Sequence, residues 1–175
     1  MRGPGSTAIV ISGIGGQGIV FAGRLLARAL FAQGKEVALR YAYGAEVMGT
    51  PVHSEVVYAD HPVACPFVEK AQVVAVLHPA ALEEALEKLA VPGRLILDAH
   101  VAAPSLPAEV AVETRPFLAR TSSKRAGDPG RFAPVAVLGL LARQGYVDWN
   151  ELLEAVGREP APKENEAAIR TGYEL

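Results

Sequence analysis

A single cysteine, Cys65, stands among 175 residues. The chain therefore builds no internal disulfide, no CxxC redox pair and no cysteine-ligated zinc or iron–sulfur cluster of its own. Any redox chemistry associated with it must be carried elsewhere. An excess of charge of one sign is also missing. Lys and Arg number 17 against 19 Asp and Glu, a net charge of −2, and the pI is near 6.1. No strong positive field is available for nucleic acid or an anionic membrane surface. No uninterrupted apolar run approaches the roughly 18 residues that span a bilayer, and no basic segment precedes a signal-type apolar stretch. The expected location is the cytoplasm. HExxH and GxSxG are absent too, no pair of carboxylates stands out, and His53, His61, His78 and His100 are scattered, so neither a catalytic residue nor a metal ligand set can be named.

What is present is material for a core. Half of the residues are hydrophobic and 21% are charged, which excludes disordered, collagen-like and low-complexity classes. A chain of this length buries roughly 70% of its unfolded surface as one domain, and no linker or repeat divides residues 1–175. Charge is uneven along it: Arg115, Arg120, Lys124, Arg125 and Arg131 face only Asp128 over residues 115–131, and the tail beyond Asp148 is mostly acidic.

The periodicities predict alternating elements. Ala8 to Ser12 reads as a strand, Gln17 to Ala32 as a helix stopped by Gly34, and Glu36 to Tyr41 as a second strand, a β-α-β unit that opens a parallel sheet. Val52 to Tyr58 is β-rich with mixed polarity and predicts an extended segment with one less buried face. Gln72 to Leu77 is a buried strand, Pro79 to Ala90 an amphipathic helix and Arg94 to Asp98 another strand. Glu109 to Glu113 adds a last strand. Phe117 to Gly130 reads as a loop or short helix, and helices are expected over residues 133–144, 150–156 and 163–170. The class is α/β, a doubly wound, mostly parallel sheet with a helical carboxyl-terminal portion.

Gly13-Ile14-Gly15-Gly16-Gln17-Gly18 contains G-x-G-x-x-G between a strand and a helix, the context in which that spacing acquires meaning. Glycines permit positive φ and close backbone approach, and the amino end of the following helix favours an anion. The alternative is a tight turn that binds nothing, in a chain serving only as an interaction module. An NAD site would add an acid about 20 residues on, but that place reads Leu39-Arg40-Tyr41. Arg40 suits only a 2′-phosphate, which keeps a free-standing NADP-binding oxidoreductase as a second alternative. His78 is read as a turn residue or a ligand-facing one, Asp98 as a cap or a crevice residue, and Cys65 as a packed side chain. Ser122-Ser123-Lys124-Arg125 is read as an exposed loop with a secondary claim on phosphate.

Taken together, Gly13–Gly18, Leu25-Leu26-Ala27, Tyr43-Gly44-Ala45-Glu46-Val47 and Val56 before a polar turn resemble the gamma subunit of the 2-oxoacid:ferredoxin oxidoreductases, of the pyruvate, 2-oxoglutarate or 2-ketoisovalerate type. The resemblance continues through Gln72–Leu77, Leu95–Asp98, Leu138-Gly139 and Glu164-Asn165-Glu166. It implies a Rossmann-like, non-catalytic subunit of a complex that decarboxylates a 2-oxoacid, forms an acyl-CoA and reduces ferredoxin. Thiamine diphosphate and the iron–sulfur clusters would lie in partner chains, namely thiamine-binding alpha and beta subunits and a ferredoxin-like subunit. Gly13, Gly15, Gly16, Gln17, Gly18 and Ile19 would cradle coenzyme A phosphate, with Tyr43, Gly44 and Glu46 on the neighbouring loop. The family usually continues with Arg-Gly-Gly, where this chain has Met48-Gly49-Thr50, and an asparagine expected near Ala133-Pro134-Val135 is absent. Two alternatives follow: the chain serves an atypical complex, or Arg40 or Arg131 replaces the missing arginine.

Overall fold

The computed structural model describes residues 5–43, 49–63, 67–122 and 130–175. Strand β1 (Thr7–Ile14) leads into helix α1 (Ile19–Ala32), followed by β2 (Glu36–Tyr43) and β3 (Pro51–Ala59). Next come β4 (Ala71–Val76), a single 3-10 turn (Pro79–Ala81), α2 (Leu82–Glu87), β5 (Leu89–Asp98) and β6 (Val110–Arg115). Short α3 (Phe117–Thr121) precedes α4 (Ala133–Arg143), α5 (Trp149–Gly157) and α6 (Pro162–Glu174). Periodicity and capping explain these boundaries. In α1, Ile19, Ala22, Leu25, Leu26, Ala29 and Leu30 repeat at helical spacing and are all buried. At α5 the Asp148 carboxylate accepts the amides of Asn150 and Glu151.

The six strands lie in the order β2-β3-β1-β4-β5-β6. Neighbouring strands from β1 through β6 on one side are parallel, and β3 alone is reversed, antiparallel to both β1 and β2. The sheet is thus mostly parallel, with one correction to the sequence reading. β1 and β2 point the same way, but β3 lies between them. β3 is also buried on both faces from Val52 to Val57 rather than less buried on one of them. Its polar side chains have internal partners: Ser54 Oγ donates to the Ile19 carbonyl at 2.8 Å, and His53 bridges Ser12 Oγ at 2.8 Å and Glu84 at 2.9 Å. The helix expected over residues 79–90 is shorter than its pattern because Leu89 and Ala90 join β5, Leu89 pairing with Ala71.

Both faces of the sheet are covered, which is why the central strands read as continuous apolar runs. Ile9 and Ile11 of β1 pack with α1, α4, α5 and α6, while Ala8 and Val10 join the opposite cluster with Ala81 and Ala85 at α2. Helices α4 and α6 cross closely because each presents a glycine to the other. A Cβ on Gly139 would lie 1.9 Å from the Ile169 carbonyl, and one on Gly172 1.7 Å from the Ala136 carbonyl.

Candidate functional site

β1 ends in the glycine loop, and two of its glycines need the left-handed region that only glycine enters freely: φ is +91° at Gly16 and +82° at Gly18. Gly18 is the N-cap of α1 and supplies no capping side chain, so the first-turn amides keep their partial positive charge for another acceptor. Gly15 donates its amide to the Thr50 carbonyl at 3.1 Å, and Gln17 donates its own to the Ile14 carbonyl at 3.2 Å. The amides of Gly16, Gly18 and Ile19 are the loop's candidate anion donors.

Gln17 has a different job from the one its place in the motif suggests. Its side chain is buried, its Oε1 accepts the Ile14 amide at 2.9 Å, and its Nε2 donates to the Leu77 carbonyl at 3.4 Å. It braces the loop against the end of β4. Gly13 makes room for that brace, because a Cβ there would lie 2.4 Å from Gln17 Oε1.

Beside the loop opens a groove of 530 Å³, a size that suits a cofactor-scale ligand. Of the residues expected at the site, Gly15, Gly16, Gly18, Ile19 and Tyr43 line it. Gly13 and Gln17 stand behind it, and Gly44 and Glu46 lie outside the described residues, as does Met48. The groove also takes in Phe21 and Arg24, which the motif does not contain. Both fall on the first turns of α1 beyond Gly18, where helical spacing alone could have placed them. Arg24 pairs with Glu159 at 3.0 Å and lies 5.5 Å over the Phe21 ring.

Other candidates sit elsewhere. Arg40 pairs with the fully buried Glu55 at 3.2 Å, and Lys88, at the end of α2, approaches the other carboxylate oxygen at 3.0 Å without hydrogen-bond geometry. That cluster occupies the sheet face covered by α2, whereas the glycine groove opens on the α1 face. The NADP alternative thereby loses its cation. Asp98 is a turn and cap residue whose carboxylate accepts the amides of Leu118 at 2.8 Å and His100 at 3.2 Å, together with His100 Nδ1 at 2.6 Å. His78 Nδ1 accepts the Ala80 amide at 3.2 Å. Burial holds the His78 pKa below the usual imidazole value, with a smaller contribution from neighbouring His100. Neither histidine lines the groove. Cys65 and Ser123-Lys124-Arg125 lie outside the described residues. Among the described residues, no group of three His, Cys, Asp or Glu side chains could hold a metal, and no helix is long and apolar enough to cross a membrane.

Comparison with known proteins adds to this geometry. A family model described as pyruvate ferredoxin/flavodoxin oxidoreductase matches residues 8–175. The 2-oxoglutarate synthase subunit KorC of Methanocaldococcus jannaschii is 31% identical over 174 residues, covering 95% of this chain and 92% of its own length. The crystal structure of pyruvate oxidoreductase subunit PORC from Thermotoga maritima superposes with a TM-score of 0.75 at 25% identity, over 97% of this chain and 96% of that one. The 2-oxoglutarate:ferredoxin oxidoreductase from Magnetococcus marinus, solved with 2-oxoglutarate, coenzyme A and succinyl-CoA bound, shares the fold. Its TM-score is 0.84 at 20% identity, over 98% of this chain and 31% of that longer one.

Proposed function

Since the chain belongs to the pyruvate ferredoxin/flavodoxin oxidoreductase family and is a gamma-type subunit of a 2-oxoacid:ferredoxin oxidoreductase, we propose that its glycine groove positions coenzyme A for acyl transfer. The complex is a cytoplasmic assembly in which thiamine-binding alpha and beta chains and a ferredoxin-like chain carry the thiamine diphosphate and iron–sulfur clusters. Ferredoxin is its electron acceptor. Thiamine diphosphate supplies the carbanion chemistry of decarboxylation. This chain contributes neither proton nor nucleophile.

The observation that carries the proposal is the uncapped amino end of α1 opening into the 530 Å³ groove. A phosphate there meets backbone donors and the positive end of a 14-residue helix. Tyr43 and Phe21 offer apolar and aromatic surface to the rest of the ligand. The lone cysteine accords with clusters held by other chains. Holding the acceptor close to its reaction partner, in a site that excludes water, is a contribution from orientation alone.

The test is Gly16→Val in the assembled complex. A side chain at φ +91° and at the groove lining should weaken coenzyme A binding measured by calorimetry, while carbon dioxide release from the 2-oxoacid without coenzyme A continues. Equal loss of both activities, or unchanged binding, would refute the positioning role.

A further inference from the structure

The groove continues around the amino end of α1. A second lobe of 320 Å³ shares Gly16, Gly18 and Phe21 with the first and is completed by Arg131, Phe132 and Asn165. Arg131 is brought there by the missing side chain at Gly18, where a Cβ would lie 2.8 Å from the Arg131 carbonyl. Its guanidinium lies 4.8 Å over the Phe132 ring, an arrangement that leaves the edge N–H donors available. Among the described residues no carboxylate pairs with it, unlike Arg24, held by Glu159, and Arg40, held by Glu55 on the other face of the sheet. Asn165 is 3% exposed and is fixed by Nδ2 donating to the Pro160 carbonyl at 2.9 Å.

The joined lobes offer two separate anion-binding elements, the α1 amides and the Arg131 guanidinium. Coenzyme A has two separate anionic groups, a pyrophosphate and a ribose 3′-phosphate. We propose that Arg131 is a specificity residue that binds the 3′-phosphate, while the glycine loop takes the pyrophosphate. This rests on the coenzyme A reading above and goes beyond it by assigning which part of the ligand each lobe holds.

The experiment uses the intact complex and compares coenzyme A with 3′-dephospho-coenzyme A in 2-oxoacid-dependent ferredoxin reduction, for the wild type, Arg131→Ala and Arg131→Lys. Loss of a charge-assisted arginine–phosphate contact should raise KM for coenzyme A about tenfold or more in Arg131→Ala. KM for the dephospho compound should barely change, so the two values converge, and Arg131→Lys should recover part of the difference. A wild type that uses both compounds equally, or an alanine variant that loses affinity for both by the same factor, overturns the 3′-phosphate assignment and leaves the groove reading standing. If neither Arg131→Ala nor Gly16→Val alters KM for coenzyme A, the groove reading fails and this assignment falls with it.

Discussion

Substituting Gly172 by alanine is the sharpest test of the packing that carries the site. The added Cβ would lie 1.7 Å from the Ala136 carbonyl oxygen and 2.9 Å from the Ala136 Cα, both backbone atoms inside a helix. No rotamer change relieves such a contact, so α4 and α6 must separate there by about 1.3 Å or more, in an interior packed as densely as a crystal. Overpacking of this kind costs about 1–3 kcal/mol and sometimes more, and it is opposed by about 1 kcal/mol of helix propensity gained by replacing glycine. Because backbone meets backbone and α4 is buried along nearly its whole length, the clash dominates. We expect a net loss of about 2 kcal/mol, a fall in Tm of roughly 4–8 °C for a chain of this size. Gly157→Ala is the matched control, a helical glycine with nothing within 4 Å of its virtual Cβ, and it should be neutral or slightly stabilising. Calorimetric or circular-dichroism melts of the two variants decide the matter. If Gly172→Ala melts at or above the wild-type temperature, as the control does, the close helix crossing is refuted.

Gln17→Ala removes both ends of the brace, leaving the Ile14 amide and the Leu77 carbonyl without their side-chain partner. It should cost about 1–3 kcal/mol in urea denaturation and weaken coenzyme A binding through a loosened loop; an unchanged midpoint would show that the brace is dispensable. For His78, whose folded pKa is lowered from 6.5, burial being the larger cause and His100 the smaller, the unfolded chain binds the proton more readily. Stability is therefore full above pH 6.5 and declines as pH falls from there through the depressed folded value. Denaturation midpoints across that range should fall less steeply for His78→Asn than for the wild type, and superimposable profiles would refute the linkage.

How much of the molecule could be read from residues alone depended on whether each residue's partner was near in sequence. β1, β4 and β5 were legible because strands buried on both faces leave a continuous apolar run, and α4, α5 and α6 because their apolar spacing is helical. The reversed central strand β3 was not. His53, Ser54 and Glu55 look like a solvent-facing stretch until Ser12, Ile19, Arg40, Glu84 and Lys88 arrive from other elements to meet them. The glycine loop was legible for the opposite reason, since strand, turn and helix follow one another without interruption. Even there the motif marks Gln17 without revealing that its side chain points into the protein, which depends on the Leu77 carbonyl, 60 positions away.

The carboxyl-terminal parts of the resemblance acquire a physical meaning that the sequence alone withheld. Leu138-Gly139 marks the point where α4 admits the backbone of α6, and Glu164-Asn165-Glu166 contains the buried amide that completes the second lobe. Arg131 enters that lobe just before α4, against Gly18, and Asn165 sits on the first turns of α6. The α4–α6 crossing therefore sets the width of the lobe between the glycine loop and the last helix. A change at Gly139, which faces Ile169 and Tyr173, or at Gly172, which faces Ala136, should reach the groove by moving Asn165 relative to Arg131. Under the proposed coenzyme A reading, this gives the helical tail a role in the site as well as in the core: α1 would supply the donors, and α4 and α6 would fix how far Arg131 stands from them.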